Sequence, residues 1–161
     1  MTFDFNVNAL ISYLRENQLK PELQKETGQV FIVYQIKEFE VPVFFLMRPE
    51  NSLMQMIAYL PYQLPEKTFG EVARMLHLFN RELDMPGFGM DESAKLMFYR
   101  CVLPCWENKI EKRLFNMCLG TTRVVCDTFM HAIGIIATGM MRVDEVVKDQ
   151  KPREYYTHLK N

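Results

Sequence analysis

The chain has 161 residues and a net charge of −1, and 48% of its residues are hydrophobic against 24% that are charged. This length suits a single domain, which buries roughly 70% of the surface exposed by its unfolded chain. The near-neutral charge excludes the electrostatic attraction on which general nucleic-acid binding depends, so we expect no nucleic-acid partner.

The first half of the chain predicts one helix followed by three strands. Apolar residues recur at helical spacing within residues 7–18, ahead of Pro21, which is typical of a short amphipathic helix. The period then changes, because segments rich in β-branched and aromatic residues alternate with polar, turn-forming stretches. We predict antiparallel strands at residues 30–36, 41–47 and 53–60.

The second half predicts a helix, two strands and a long final helix. Residues 66–83 show an apolar face at helical spacing, and Pro86 stops this helix. Two short strands follow on either side of the acidic turn at residues 90–95, the second of them at residues 96–103. The last helix covers residues 108 to about 138, where Gly120 or Gly134 could bend or divide it.

This order, α-β-β-β-α-β-β-α, predicts an α+β domain in which helices pack on an antiparallel sheet of about five strands. We expect residues 1–147 to form this single domain, since they contain no linker, repeat or low-complexity tract. Residues 148–161 are polar, and we expect them to be a mobile tail.

Both faces of the predicted sheet carry apolar residues, although an antiparallel sheet with one solvated face normally alternates apolar and polar positions. Helices can cover one face, and an apolar patch left on the other would mark a site for a protein partner or a second copy of the chain. The alternative is that the helices cover both faces. Because methionine adapts to different shapes, we predict that the partner-binding residues include Phe44, Leu46, Met54 and Met56.

Two residues of the second predicted helix indicate a dimer interface. Met75 and Leu78 lie off its main apolar face and give the helix a second apolar edge. A helix at a subunit interface has this pattern, and local core packing is the alternative. We therefore expect a homodimer in which Met75 and Leu78 lie at the interface.

The four cysteines could suggest a tetrathiolate zinc site. Cys101 and Cys105 are separated by a strand segment containing Pro104, whereas Cys118 and Cys126 lie apart on the last predicted helix. Structural zinc sites usually take ligand pairs two to four residues apart in tight knuckles, so we favour buried free thiols and predict no metal or cofactor.

Two other motifs are candidates for chemical sites. Gly87-Phe88-Gly89 lacks the third glycine of a dinucleotide fingerprint and precedes a strand, so it is more typical of a structural turn than of a phosphate site. Asp127 and His131 are four residues apart on a helix, so their side chains can touch. Cys126 points about 100° away from Asp127 around that helix. We therefore predict no catalytic residues, with an enzyme using these three side chains as the alternative.

The location of the protein follows from two segments. The N-terminus has no basic region before its apolar residues and carries Asp4 there, which is not typical of a signal peptide. The most apolar window, residues 129–141, is too short to span a bilayer. We expect a cytoplasmic protein without membrane insertion, in which the cysteines stay reduced.

Two segments resemble the YbjN-like family and its relatives with a type III secretion chaperone-like fold. They are LDMPGFGMDESAKLMFYRCVLP, residues 83–104, and FFLMRPENSLMQMIAYLPYQLPE, residues 44–66. The shared pattern is a helix that ends near an asparagine, a Pro-Gly-Phe-Gly strand start, an acidic hairpin and an apolar strand ending in Leu-Pro. The resemblance covers roughly residues 31–141, and its motifs are structural.

This resemblance implies a chaperone-like domain that commonly forms a homodimer and has no enzymatic activity or cofactor. Secretion chaperones of this fold hold a client segment in extended form against apolar surface patches. They tend to be distinctly acidic, whereas this chain is near neutral and has a long final helix. The resemblance therefore implies either a chaperone with a secreted client or a YbjN-like regulatory or scaffolding protein without one.

Overall fold

The computed structural model describes residues 1–148, except for the side chain of Asn51. Apart from Lys148, the tail predicted at residues 148–161 lies outside the described residues. The strands β1 to β8 are Thr2–Asp4, Glu22–Leu23, Val30–Ile36, Phe39–Arg48, Leu53–Tyr59, Phe88–Asp91, Leu96–Pro104 and Lys109–Glu111. The helices α1 to α4 are Val7–Glu16, Phe69–Glu82, Lys112–Ala137 and Val143–Val146.

Six of these strands form one antiparallel sheet in the order β2-β3-β4-β5-β7-β6. The five predicted strands all belong to it, and β2 adds a short edge strand that the sequence pattern did not indicate. Strands β1 and β8 form a separate antiparallel ribbon in which Phe3 lies opposite Ile110. The predicted α+β class with an antiparallel sheet is confirmed.

Two helices begin later than predicted, and both differences have a local cause. Residues 66–68 form a 3-10 turn, so α2 begins at Phe69. Residues 109–111 pair with β1 as strand β8, so α3 begins at Lys112. The side chain of Glu111 then accepts hydrogen bonds from the backbone N–H groups of Arg113 and Leu114, which satisfies two donors of the first turn.

Helix α3 is continuous over 26 residues, so neither Gly120 nor Gly134 divides it. Gly134 instead makes room for an aromatic ring, because a Cβ atom there would lie 2.4 Å from the ring of Tyr62. The predicted division was wrong because packing along a long helix outweighs the unfavourable intrinsic propensity of a glycine, about 1 kcal/mol.

The core lies between one face of the sheet and the helices. Each of the four helices contributes buried side chains to one hydrophobic cluster, which also takes every second residue of the central strands. Ring contacts link these layers, since Phe115 of α3 stacks on Phe45 of β4 at 5.7 Å and meets Tyr13 of α1 edge-on at 5.5 Å. The helices therefore lie on the same side of the sheet.

Among residues 1–148, no helix combines the length and the apolar character needed to cross a membrane.

Candidate functional site

The side of the sheet opposite the helices carries a second set of apolar side chains, which we call the open face. These side chains alternate with core residues along β3, β4, β5 and β7 and take no part in the core cluster. Within residues 1–148, every helix directs its buried apolar side chains into the core, so none of these helices covers this face. Its apolar side chains are Phe31, Val33, Phe44, Leu46, Ile57, Tyr59, Phe98 and Val102, and Gln55 and Arg100 lie among them.

Four aromatic rings form a continuous row across the open face. Phe31 stacks on Phe44 at 5.1 Å, Phe44 meets Tyr59 edge-on at 5.7 Å, and Tyr59 meets Phe98 edge-on at 6.5 Å. Geometries of this kind stabilise aromatic pairs beyond their buried area and restrict ring motion. The aromatic row therefore gives the face a defined shape.

The open face retains accessible apolar surface around these rings. Ile57 is only 9% exposed although it does not belong to the core cluster. Val33 on β3 and Val102 on β7 are 45% and 48% exposed, and they lie toward opposite sides of the face. An apolar surface that spans four strands, with no helix over it within residues 1–148, is typical of an interaction site.

Charged residues also lie on this side of the sheet, among them Glu22 on β2, opposite Phe31, and Arg100 on β7. Arg100 lies beside the apolar residues in the interior of the sheet. It is exposed, lies opposite Ile57 in the register of β5 and β7, and holds its guanidinium carbon 5.8 Å from the ring centroid of Phe98. This distance allows a cation–π interaction. The ion pairs among the described residues do not include Arg100. Its positive charge is thus available to a ligand of the open face.

The structure divides the four predicted partner-binding residues between the two faces. Phe44 and Leu46 lie on the open face and are half-buried. Met54 and Met56 are fully buried in the core, so the expectation that they contact a partner is corrected. The reason is the register, in which Met54 lies opposite Met47 and shares its face, whereas Phe44 lies opposite Ile57.

The two residues predicted at a dimer interface also lie closer to the core than expected. Met75 is completely buried, so it cannot form part of a surface between subunits in this conformation. Leu78 is half-buried and packs against the core. Helix α2 contacts α3, α4 and β6, so its buried face is wider than the single stripe read from the sequence.

The Gly-Phe-Gly motif is a structural junction between α2 and β6. Asn80 accepts hydrogen bonds from the N–H groups of Gly87 and Phe88, at 3.0 and 2.8 Å, and donates one to the carbonyl of Phe88 at 2.9 Å. Phe88 is buried in the core. The site of Gly87 lies against the neighbouring strand, where a Cβ atom would be 2.1 Å from the carbonyl oxygen of Arg100. These contacts support the structural interpretation of the motif.

All four cysteines are free and buried. Burial raises the pKa of Cys126 to about 12 and also raises the pKa of Cys105. A hydrogen bond between Cys118 and Cys101 lowers the pKa of Cys101 to about 6 and raises that of Cys118. No group of three or more His, Cys, Asp or Glu side chains in residues 1–148 could hold a metal ion, so the zinc alternative has no ligand set there.

The three side chains of the alternative enzyme hypothesis, those of Cys126, Asp127 and His131, do not come together in one site. Cys126 is completely buried, whereas Asp127 is exposed and lies 3.8 Å from the ammonium group of Lys37. His131 lines a cavity of about 160 Å³ together with Tyr62 and other residues, but neither Cys126 nor Asp127 lines it. These positions do not support a nucleophile, base and orienting acid acting together.

Sequence reasoning missed most of the open face, including Phe31, Tyr59, Phe98 and Arg100. Each of them falls at the two-residue period of its strand, so the pattern contained them. The missing information was the pairing of the strands, because only the register places Phe44 beside Phe31 and Ile57 beside Arg100. The registers of the β3-β4 hairpin, the β4-β5 hairpin and the distant pair β5-β7 together would have identified the site.

Comparison with known proteins agrees with this fold. The YbjN family model, described as a putative bacterial sensory transduction regulator, matches residues 6–134. The structure of YbjN from E. coli, a putative transcription regulator, has a TM-score of 0.58 at 8% identity, covering 86% of this chain and 95% of that one. A chain of the ExsC-ExsE complex has a TM-score of 0.56 at 16% identity, covering 78% of this chain and 90% of that one. No curated protein matches this chain in sequence. The resemblance predicted from the sequence is confirmed.

Proposed function

Because this chain belongs to the YbjN family, we propose that it is a non-catalytic protein-binding domain that holds an extended segment of a partner protein on its open face. The observation that carries this proposal is the aromatic row, which spans four strands and has no helix over it within residues 1–148. The ExsC-ExsE structure, a complex of a chain with this fold, supports the choice of a protein partner.

The energetics of the open face suit binding by contact with side chains. Fully burying an exposed valine contributes roughly 1.5–3 kcal/mol, so covering the exposed halves of Val33 and Val102 contributes about 1 kcal/mol each. The rings of the aromatic row are already ordered by mutual contact, so a ligand orders few side chains on binding. An extended segment can lie on such a flat surface without the sheet having to open.

The family description favours a second, narrower form of this function. The family model is described as a putative bacterial sensory transduction regulator, and this description names no secreted client. We therefore propose two possible roles for the same surface, a chaperone-like role toward a client destined for secretion and a regulatory or scaffolding role toward a resident protein. Fractionation of native cells shows where the partner protein is located, and this location distinguishes the two roles.

The experiment that tests the open face compares partner recovery by two surface variants. Phe44→Asp places a charge in the aromatic row, whereas Met140→Asp places one at a side chain that is 77% exposed elsewhere. The wild-type chain and Met140→Asp should both recover the same stoichiometric protein from native cells, and Phe44→Asp should lose it. Circular dichroism must show that both variants are folded. Equal recovery by all three chains would exclude the open face.

We also propose that the chain is a homodimer, as expected for this fold from the sequence. The interface cannot include Met75, but Met117 and Val124 supply accessible apolar surface seven residues apart on α3, at 49% and 64% exposure. Light scattering should give twice the mass of the chain, and Val124→Asp should give a monomer. A monomeric wild type would refute the dimer and leave the open face unaffected.

We further propose a cytoplasmic location, which the same cell fractionation tests.

A further inference from the structure

We propose that the open face also binds a second copy of itself, in a two-fold arrangement that pairs Glu22 of each copy with Arg100 of the other. Five side chains in direct cross-strand register form a row across this side of the sheet, Glu22, Phe31, Phe44, Ile57 and Arg100. This charged-end row has three apolar side chains between an acid and a base. Self-association does not depend on the proposed function, but both use one surface and therefore exclude each other.

Neither end of the charged-end row has an ionic partner within residues 1–148. Glu22 and Arg100 are both exposed, and the ion pairs of this part of the chain include neither of them. A purely apolar ligand over the row would remove water from both charges without supplying partners, which is unfavourable. The occupant that fits best supplies a base near Glu22 and an acid near Arg100.

The order of side chains in the row lets a second copy supply both charges. Phe44 is its central member, with two strands on either side. A two-fold axis that runs along β4 between the two faces reverses the row in the second copy. It places Phe44 against Phe44, Phe31 against Ile57 and Glu22 against Arg100, so two ion pairs form at once. An axis along the row would instead place Glu22 against Glu22 and Arg100 against Arg100, which like-charge repulsion disfavours.

The dimensions of the face agree with such a contact. Packed sheets lie about 10 Å apart, so a glutamate and an arginine that face each other are long enough to meet. Five strands about 4.8 Å apart make the row roughly 19 Å wide, and β4 spans about 26 Å from Glu40 to Arg48. These lengths give no more than about 500 Å² per copy, the size of a small, transient interface. We expect a weak dimer, with a Kd roughly in the micromolar range, that a partner segment can displace.

The test is sedimentation equilibrium of charge variants of the full chain. All of them carry Val124→Asp, so that the α3 interface proposed above does not contribute. This background chain is expected to be a monomer when dilute, and it should form a dimer as its concentration rises from about 1 to 500 µM. Glu22→Arg and Arg100→Glu should each raise the Kd about tenfold or more, because each change converts both ion pairs into like-charge pairs.

A mixture of the two charge variants gives the sharpest result. When Glu22→Arg and Arg100→Glu chains are combined in equal amounts, both contacts between unlike chains again join opposite charges. The mixture should therefore form a heterodimer with about the Kd of the background dimer, although each variant alone associates poorly. Formation of this heterodimer also shows that both variants are folded.

Arg15→Glu and Glu16→Arg are matched controls with the same changes in net charge. Both side chains are exposed on α1, on the helix side of the sheet. Each control should dimerise like the background chain, and mixing the two should change nothing. Circular dichroism checks the folding of every variant.

The outcomes separate this inference from the proposed function. A background chain that stays monomeric at every concentration, association that neither charge variant weakens, or a mixture that fails to dimerise overturns the inference alone. Equal partner recovery by the wild type and Phe44→Asp overturns the proposed function alone, because the charge pattern of the dimer is measured without any partner protein.

Discussion

Phe44 and Phe45 are adjacent on β4 and point to opposite faces of the sheet, so they test the division between core and open face. Phe45 is 2% exposed and stacks on Phe115 at 5.7 Å. Truncating a buried phenylalanine to alanine costs about 3–5 kcal/mol. Phe44 is half-buried and contacts the rings of Phe31 and Tyr59. Cross-strand pairs contribute roughly 0.2–1 kcal/mol each, so its loss should cost about 0.4–2 kcal/mol.

The two free energies correspond to a clear difference in thermal stability. For a chain of this size, Tm falls by about 3 °C per kcal/mol, so Phe45→Ala should lower Tm by about 9–15 °C and Phe44→Ala by about 1–6 °C. Urea unfolding followed by circular dichroism gives the free energies directly. Partner binding should show the reverse order, since in the proposed function Phe44 contacts the partner and Phe45 does not. Equal destabilisation by the two variants would refute the reasoning, because it would mean that both faces are closed.

Three further predictions concern the packing around the site. Gly87→Ala should destabilise the fold by about 3 kcal/mol, because the added Cβ meets the neighbouring backbone. Gly120→Ala lies at an open helical position and should stabilise the fold by about 0.5–1 kcal/mol. Urea unfolding of both variants measures these free energies. Asn80→Ala should cost about 1–3 kcal/mol in the same assay, and Asn80→Asp less, because the aspartate still accepts from the N–H groups of Gly87 and Phe88. In a thiol titration with a disulfide reagent at pH 7, no cysteine should react rapidly in the native chain and four should react after unfolding; a fast native thiol would contradict their burial.

The larger elements of the fold were predictable because their apolar periods are long. The helical repeat of α1, α2 and α3 and the β-branched runs of the central strands each extend over at least seven residues. Strands β1, β2 and β8 have only two or three residues, so no period can develop, and they exist because a neighbouring strand supplies their hydrogen bonds. Their positions could not be read from local sequence.

The candidate site was predictable only in part, because a strand period does not say which face meets the helices. The sequence showed that β4 and β5 are apolar on both sides, and this led to an interaction surface. Assigning Met54 to that surface required the register across the connection Pro49–Asn51, where Arg48 lies opposite Leu53. A register shifted by one residue turns every side chain of a strand to the other face. The error with Met54 and Met56 has this origin.

The Gly-Phe-Gly motif contributes to both faces of the sheet, because Phe88 points into the core and Gly89 lies on the side of the open face. Phe88 enters the core, where its ring meets that of Tyr99 at 5.1 Å. Gly89 faces the other way and lies opposite Phe98, whose ring occupies the space of a side chain, since a Cβ at Gly89 would be 2.6 Å from it. Phe98 can therefore lie close to the sheet, where it meets both Tyr59 and the guanidinium of Arg100. A larger residue at position 89 would displace this ring and, with it, the support on which Arg100 rests.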